Sequence, residues 1–133
     1  SVVNLHTNNA PPGANILVMG ASENTFRFSN IATHMLQEYG YIPVLFGKSG
    51  HSVAGFPIHK HLDDVADKII HTITLYLNPD HQKPFYHFII QKKPRRLIFN
   101  PGTENTELKH LAENAGIECL EACTLVMLRT HHF

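Results

Sequence analysis

Neither sign of charge is in excess in this chain, since eleven Lys and Arg are matched by eleven Asp and Glu in 133 residues. Without a global basic field there is nothing to capture a polyanion, and a nucleic-acid binder is not expected. Cysteine is scarce: Cys119 and Cys123 lie in one late apolar stretch, and so sparse a pair is no disulfide framework of a secreted domain. No apolar run reaches the roughly 18 residues of a membrane span, and no signal peptide is found. A soluble, cytoplasmic protein without a membrane partner is therefore expected, with protein partners left open. Metal-ligand spacing is also wanting. His59 and His61 fall on one face of a strand but lack a third ligand, and the eleven histidines are otherwise scattered, so no metal is expected.

What is present suits a packed core. Hydrophobic residues make up 43% and charged residues 17%, ordinary values for a globular domain. Residues 1–14 are polar and hold Pro11-Pro12-Gly13, which reads as an irregular leader, and residues 15–133 read as a single domain.

Residues 15–20 (N-I-L-V-M-G) form a short apolar run ending in glycine, as in a strand buried on both faces. Ile31, Ala32, Met35, Leu36 and Tyr39 mark a helix with one apolar face, stopped by Gly40. Residues 41–46 read as a second strand, with Pro43 at its start or at an irregular spot. Residues 47–55 read as loop, 57–59 as a short strand, and Leu62, Val65 and Ala66 as a helical piece. Residues 69–77 alternate Ile73, Leu75 and Leu77 with Thr72, Thr74 and Tyr76, the pattern of a strand. Asn78-Pro79-Asp80 then opens a helix: a cap, a first-turn proline and an acid at the positive end of the dipole. That helix is expected to bury Phe85, Phe88 and Ile89, to carry Lys92 and Lys93 in its last turn, and to end before Pro94. A strand at 96–99, a helix at 106–115 stopped by Gly116, a strand at 117–120 and a helix at 122–129 complete the chain. Strands alternating with helices imply an α/β fold of three layers, with a mostly parallel central sheet.

In such sheets ligands bind beyond the carboxyl ends of the strands, where the strand order reverses. Three loops leaving those ends carry unusual residues. In the first, residues 20–29, the small Gly20, Ala21 and Ser22 let backbone amides approach a ligand, and the next helix offers its N-terminus to phosphate. Arg27 can add a bidentate contact, and Ser29 can cap the helix or donate to the ligand. The plainer alternative is a tight turn with a surface arginine. This loop is not G-x-G-x-x-G, and the second strand ends in Phe46-Gly47-Lys48-Ser49 with no acid for ribose hydroxyls, so a dinucleotide is disfavoured. Lys48 suits a phosphate on the ribose, or is simply an exposed loop lysine. In the second loop Asn78 is a helix cap, Leu77 and Pro79 offer an apolar wall, and Gln82 points back to the same mouth. In the third, residues 100–105 (N-P-G-T-E-N), a turn capped by Asn105 delivers backbone and side-chain amides to the shared cleft.

Taken together, G-A-S-E-N-T-F-R-F-S (20–29), L-Y-L-N-P (75–79), I-F-N-P-G-T-E-N (98–105) and E-A-C-T-L-V-M-L-R-T (121–130) resemble the small stand-alone CoA-binding domain proteins. These are similar to the CoA-binding domain of the succinyl-CoA synthetase α subunit. The resemblance spans about residues 15–130 and implies a Rossmann-like fold that holds the nucleotide end of coenzyme A across the carboxyl edge of the sheet. By motif position it implies a site at Gly20, Ala21, Ser22, Arg27 and Ser29, then Lys48, then Leu77, Asn78, Pro79 and Gln82, with Asn100, Pro101 and Gly102 nearby. The chain departs from the family pattern at Leu45-Phe46-Gly47, where many relatives carry Asn-Pro before the lysine.

The synthetase continues into a second domain with a phosphorylated histidine and requires a partner subunit. This sequence stops at Phe133, so ligase chemistry by it alone is not expected. No catalytic set stands out. Cys119 and Cys123 read as buried small hydrophobes, although a Cys123 at the start of the last helix would favour its thiolate and a mixed disulfide with the CoA thiol. The leading expectation is non-catalytic binding of CoA or an acyl-CoA. The alternatives are an NAD(P)-dependent enzyme on the same fold, or a regulatory or interaction subunit with a vestigial nucleotide pocket.

Overall fold

The apolar runs become strands because both of their faces are covered. The computed structural model describes residues 9–133. Seven strands, β1 (Asn15–Met19), β2 (Ile42–Phe46), β3 (Ser52–Val53), β4 (Phe56–His59), β5 (Thr72–Leu75), β6 (Arg96–Phe99) and β7 (Glu118–Glu121), form one sheet in the order β3-β4-β2-β1-β5-β6-β7. All neighbours pair parallel except β3 and β4. Among the described residues five helices, α1 (Phe28–Glu38), α2 (Pro79–Gln82), α3 (Tyr86–Lys92), α4 (Thr106–Asn114) and α5 (Thr124–Arg129), complete the three-layer, Rossmann-like α/β fold. None of the helices among the described residues is long and apolar enough to cross a membrane.

Alternate strand residues feed two separate cores. Leu17, Met19, Ile73, Leu75, Leu97 and Phe99 pack on one face with Ile89 of α3 and Leu108 and Ala112 of α4. Ile16, Val18, Leu45 and Ile98 pack on the other with Leu36 of α1 and Met127 and Leu128 of α5. Each fully buried aliphatic side chain contributes about 1.5–3 kcal/mol to this sandwich. The threonines of β5, expected to alternate with its apolar residues, are themselves buried, Thr74 against α5 and Thr72 against the Arg96 side chain. Thr74 Oγ1 lies 2.8 Å from Thr124 Oγ1, so the polar row is satisfied internally.

The structure departs from the sequence pattern at several places. The loop expected at 47–55 contains β3, joined to β4 by a two-residue turn in which Ala54 and Gly55 both have positive φ (54° and 85°). Asn-Gly is the usual signal for such a turn, and Ala-Gly hides it. The single helix expected from Pro79 to Lys93 is broken. Pro84 lacks the N–H for the helical ladder, and residues Lys83–Phe85 form a short 3-10 turn between α2 and α3. Lys93, at φ 48°, ends α3 in the left-handed conformation just before Pro94. The helical piece near Val65 is likewise a 3-10 turn, Leu62–Val65. The buried residues of α1 are Ser29, Asn30, Ala32, Thr33 and Leu36, whereas the expected Ile31 and Met35 are half-buried and Tyr39 is exposed. β5 begins only at Thr72, and Ile69 is 87% exposed. Of the expected leader, residues 1–8 lie outside the described residues. Residues 9–14 form no helix or strand, and the Ala10 amide donates to Phe133 O at 2.8 Å.

Candidate functional site

Strand order runs outward from β1 through β2 to β4 on one side and from β5 through β7 on the other, so the reversal falls between β1 and β5. The loops leaving the carboxyl ends of these strands touch one another there. Gly20 (φ 98°) lies against the Tyr76 backbone that follows β5: a Cβ at Gly20 would sit 3.1 Å from the Tyr76 carbonyl carbon. Gly47, after β2, meets the loop after β1 even more closely, and a Cβ there would fall directly on the Ala21 carbonyl oxygen. Only glycine permits both approaches.

The first loop is more internally committed than its sequence suggests. The amides of Gly20 and Ala21, expected to face a ligand, both donate to Phe46 O at 3.0 Å. Ser29 is the second residue of α1 and buried, so it does not cap the helix. The cap position is Arg27, and no side chain caps α1. In the first turn of this eleven-residue helix the Asn30 amide already donates to Arg27 O at 3.1 Å, which leaves the Phe28 and Ser29 amides without a side-chain partner beside the exposed Arg27. The loop shape is set by Asn24, whose amide donates to Ser22 Oγ at 3.0 Å and whose Oδ1 accepts from Phe26 N at 2.9 Å. Asn30 Nδ2 donates to Ser22 O at 2.9 Å. Phe26 and Phe28, on either side of Arg27, are 91% and 68% exposed.

Lys48 is exposed at the end of β2. The segment after it is held by Glu23, whose Oε2 accepts from the amides of His51 at 2.9 Å and Ser52 at 3.3 Å. Those two backbone bonds hold the Glu23 carboxyl below its ordinary value. The sequence assigned Glu23 no role, because a carboxylate that grips backbone amides across a loop leaves no spacing signature.

After β5, Asn78 caps α2 by accepting from His81 N at 3.0 Å, while Leu77 and Pro79 remain half-buried beside it. Gln82 does not reach the mouth. It is fully buried, its Nε2 donating to Leu77 O and Thr103 O (2.8 Å each) and its Oε1 accepting from Asn105 Nδ2 at 2.9 Å. It clamps the second loop to the third. Asn100 is likewise turned inward: Nδ2 donates to Thr74 Oγ1 (2.7 Å) and Leu75 O (2.8 Å), and Oδ1 accepts from Thr124 N at 2.9 Å. Asn105 caps α4 through Leu108 N at 3.1 Å. Pro101 and Gly102 (φ 90°) stay exposed at the rim. Ser22, Arg27, Lys48, Leu77, Asn78, Pro79, Pro101 and Gly102 therefore have surface to offer a ligand, whereas Ala21, Ser29, Gln82 and Asn100 build the floor beneath them.

Tyr76, expected only as a member of the strand pattern and the motif that follows it, lies half-buried beside Thr124 of α5. Its buried hydroxyl has no hydrogen-bond partner at good geometry, although the Thr74 and Thr124 hydroxyls lie beside it. Burial pushes this phenol up to about 12. Cys123 occupies the cap position of α5 and is half-buried. Cys119 lies on β7, where burial pushes its thiol up to about 11, so it remains protonated at neutral pH. Among the described residues no three His, Cys, Asp or Glu side chains gather as a metal ion would require.

A parallel sheet whose glycine-bearing loops close on one another at the order reversal defines a Rossmann-like domain. This chain belongs to the CoA binding domain family, whose model matches residues 14–129. The crystal structure of an uncharacterized protein is 36% identical to it at a TM-score of 0.85, covering 94% of this chain and 100% of that one. A hypothetical protein from Pyrococcus horikoshii OT3 is 26% identical at a TM-score of 0.76, covering 87% and 80%. The dinucleotide forming acetyl-coenzyme A synthetase 1 of Ca. Korarchaeum cryptofilum shares the fold, being 15% identical at a TM-score of 0.64 over 84% of this chain and 26% of that one. None of the curated proteins matches the chain.

Proposed function

We propose that this protein binds coenzyme A, free or acylated, at the carboxyl edge of its sheet, and contributes no chemistry to the bound molecule. One observation carries the reading: the uncapped first turn of α1 and the exposed Arg27 stand at the strand-order reversal, next to loops packed together through Gly20 and Gly47. Free N–H groups at a helix start and a guanidinium are the donors a diphosphate needs. Lys48 lies at the end of β2, where a phosphate on the ribose finds a cation rather than the acid a plain ribose prefers. Leu77 and Pro79 supply apolar surface for the adenine or the pantetheine arm. Family membership supports the ligand class.

Calorimetric titration with CoA, dephospho-CoA, NAD and NADP tests the proposal. CoA is expected to bind best, Arg27→Ala to weaken it by about 10- to 100-fold, and removal of the ribose phosphate to cost less in a Lys48→Gln variant than in the parent chain. Equal affinity for CoA and NAD, or undiminished CoA binding by Arg27→Ala, would refute the site.

A further inference from the structure

A cavity of about 470 Å³ opens at the amino edge of the sheet, at the opposite end of the strands from the CoA mouth. Its volume is that of a small-molecule pocket. The segments entering β5, β6 and β7 bound it, through His71, Lys93, Pro94, Arg95, Gly116 and Glu118. The backbone fixes this wall: Arg95 N donates to His71 O at 2.8 Å, and Glu118 N to Arg95 O at 3.2 Å.

Its electrostatics favour an anion. Lys93 and Arg95 line the cavity together with one carboxylate, Glu118, while the next residue, Arg96, is buried outside the lining. Arg96 is 2% exposed, its Nη2 has no hydrogen-bond partner among the described residues, and its guanidinium lies 4.4 Å from the centre of the Phe133 ring. Arg96 Nε donates to Thr72 Oγ1 at 2.8 Å, and that oxygen lies 2.8 Å from His71 Nδ1. Arginine can only donate, so Thr72 Oγ1 accepts from Arg96 and ties the guanidinium to the His71 ring through one shared hydroxyl. Burial first, then Arg96 and Arg95, hold the His71 ring below its ordinary value. Several of the carbonyls ending α3 and α4, which would repel an anion, already accept backbone hydrogen bonds. Lys93 N bonds Ile90 O, and the amides of residues 115–117 bond the carbonyls of residues 111–113.

We propose that this cavity is a second ligand site, which takes a small molecule through its carboxylate or phosphate group, held by Lys93 and Arg95 beside the His71 ring. The proposal is independent of CoA binding. The test follows the His71 ring resonances by NMR, assigned with His71→Asn, as inorganic phosphate or citrate is added at constant ionic strength against sodium chloride. Either probe is expected to shift them saturably and to raise the His71 titration midpoint, because a bound anion favours imidazolium. Whichever saturates at lower concentration identifies the group recognised. Lys93→Asn, a residue at home at φ 48°, and Arg95→Gln are expected to weaken binding about 10-fold or more, and Lys83→Gln, elsewhere on the surface, to leave it intact. A shift that matches chloride's and never saturates, or a saturable one indifferent to Lys93→Asn and Arg95→Gln, overturns the proposal.

Discussion

Gly47 shows how one absent methyl group holds this mouth together. Its φ is unremarkable, and what excludes a side chain is the Ala21 carbonyl oxygen, with Ile58 Cγ2 also within 3.2 Å of any Cβ. That carbonyl cannot retreat freely, because the Ala21 amide of the same residue is bonded to Phe46 O. Gly47→Ala is therefore expected to cost about 1–3 kcal/mol, lowering the melting temperature by roughly 4 °C for each kcal/mol in thermal denaturation. Residue identity was legible here, but its reason was not. The run Phe46-Gly47-Lys48 announces a loop, whereas the need for glycine arises from a neighbour 26 positions earlier. The same limit applies to Gln82 and Asn100. Amide side chains near a ligand-binding edge look like ligand contacts, and only the fold shows that their donors are spent on Leu77, Thr103, Thr74 and Leu75.

Among the elements, β1, β6 and α4 were legible almost to the residue. Their signals are local: a continuous apolar run for the strands, and Asn105 and Gly116 framing the helix. Strand β4 was expected at 57–59, but β3 and the hairpin that joins them were not, because the turn is Ala-Gly and β3 has two residues. The hairpin's attachment to the mouth is electrostatic as well as covalent, through Glu23 and the amides of His51 and Ser52. A carboxyl depressed below 4.5 in the folded chain adds stability above that pH and loses it as the pH falls through the folded value. Acidification below about 4.5 is thus expected to lower the protection factors of the His51 and Ser52 amides in hydrogen exchange. In Glu23→Gln those factors are expected to be lower throughout and flat across the same window. Parallel pH profiles in the two proteins would show that Glu23 does not anchor the hairpin.

Across the whole molecule, alternation of strand and helix foretold three layers and a parallel sheet, because each βαβ unit has only one favoured hand and its helices must cover the sheet. Which helix covers which face was not foretold. That is decided by packing: α1 and α5 bury one set of strand residues, and α3 and α4 the other. The division explains why Thr74 of β5 is internal, since Thr124 of α5 lies against it.

The direct backbone contact of Gly20 with Tyr76 has a kinetic corollary. A floor already locked by main-chain packing has little freedom left to surrender when its occupant arrives, so capture should be limited by encounter rather than by rearrangement. Stopped-flow traces with CoA are expected to give an observed rate that climbs linearly with ligand concentration. A plateau would mean that the walls must first part.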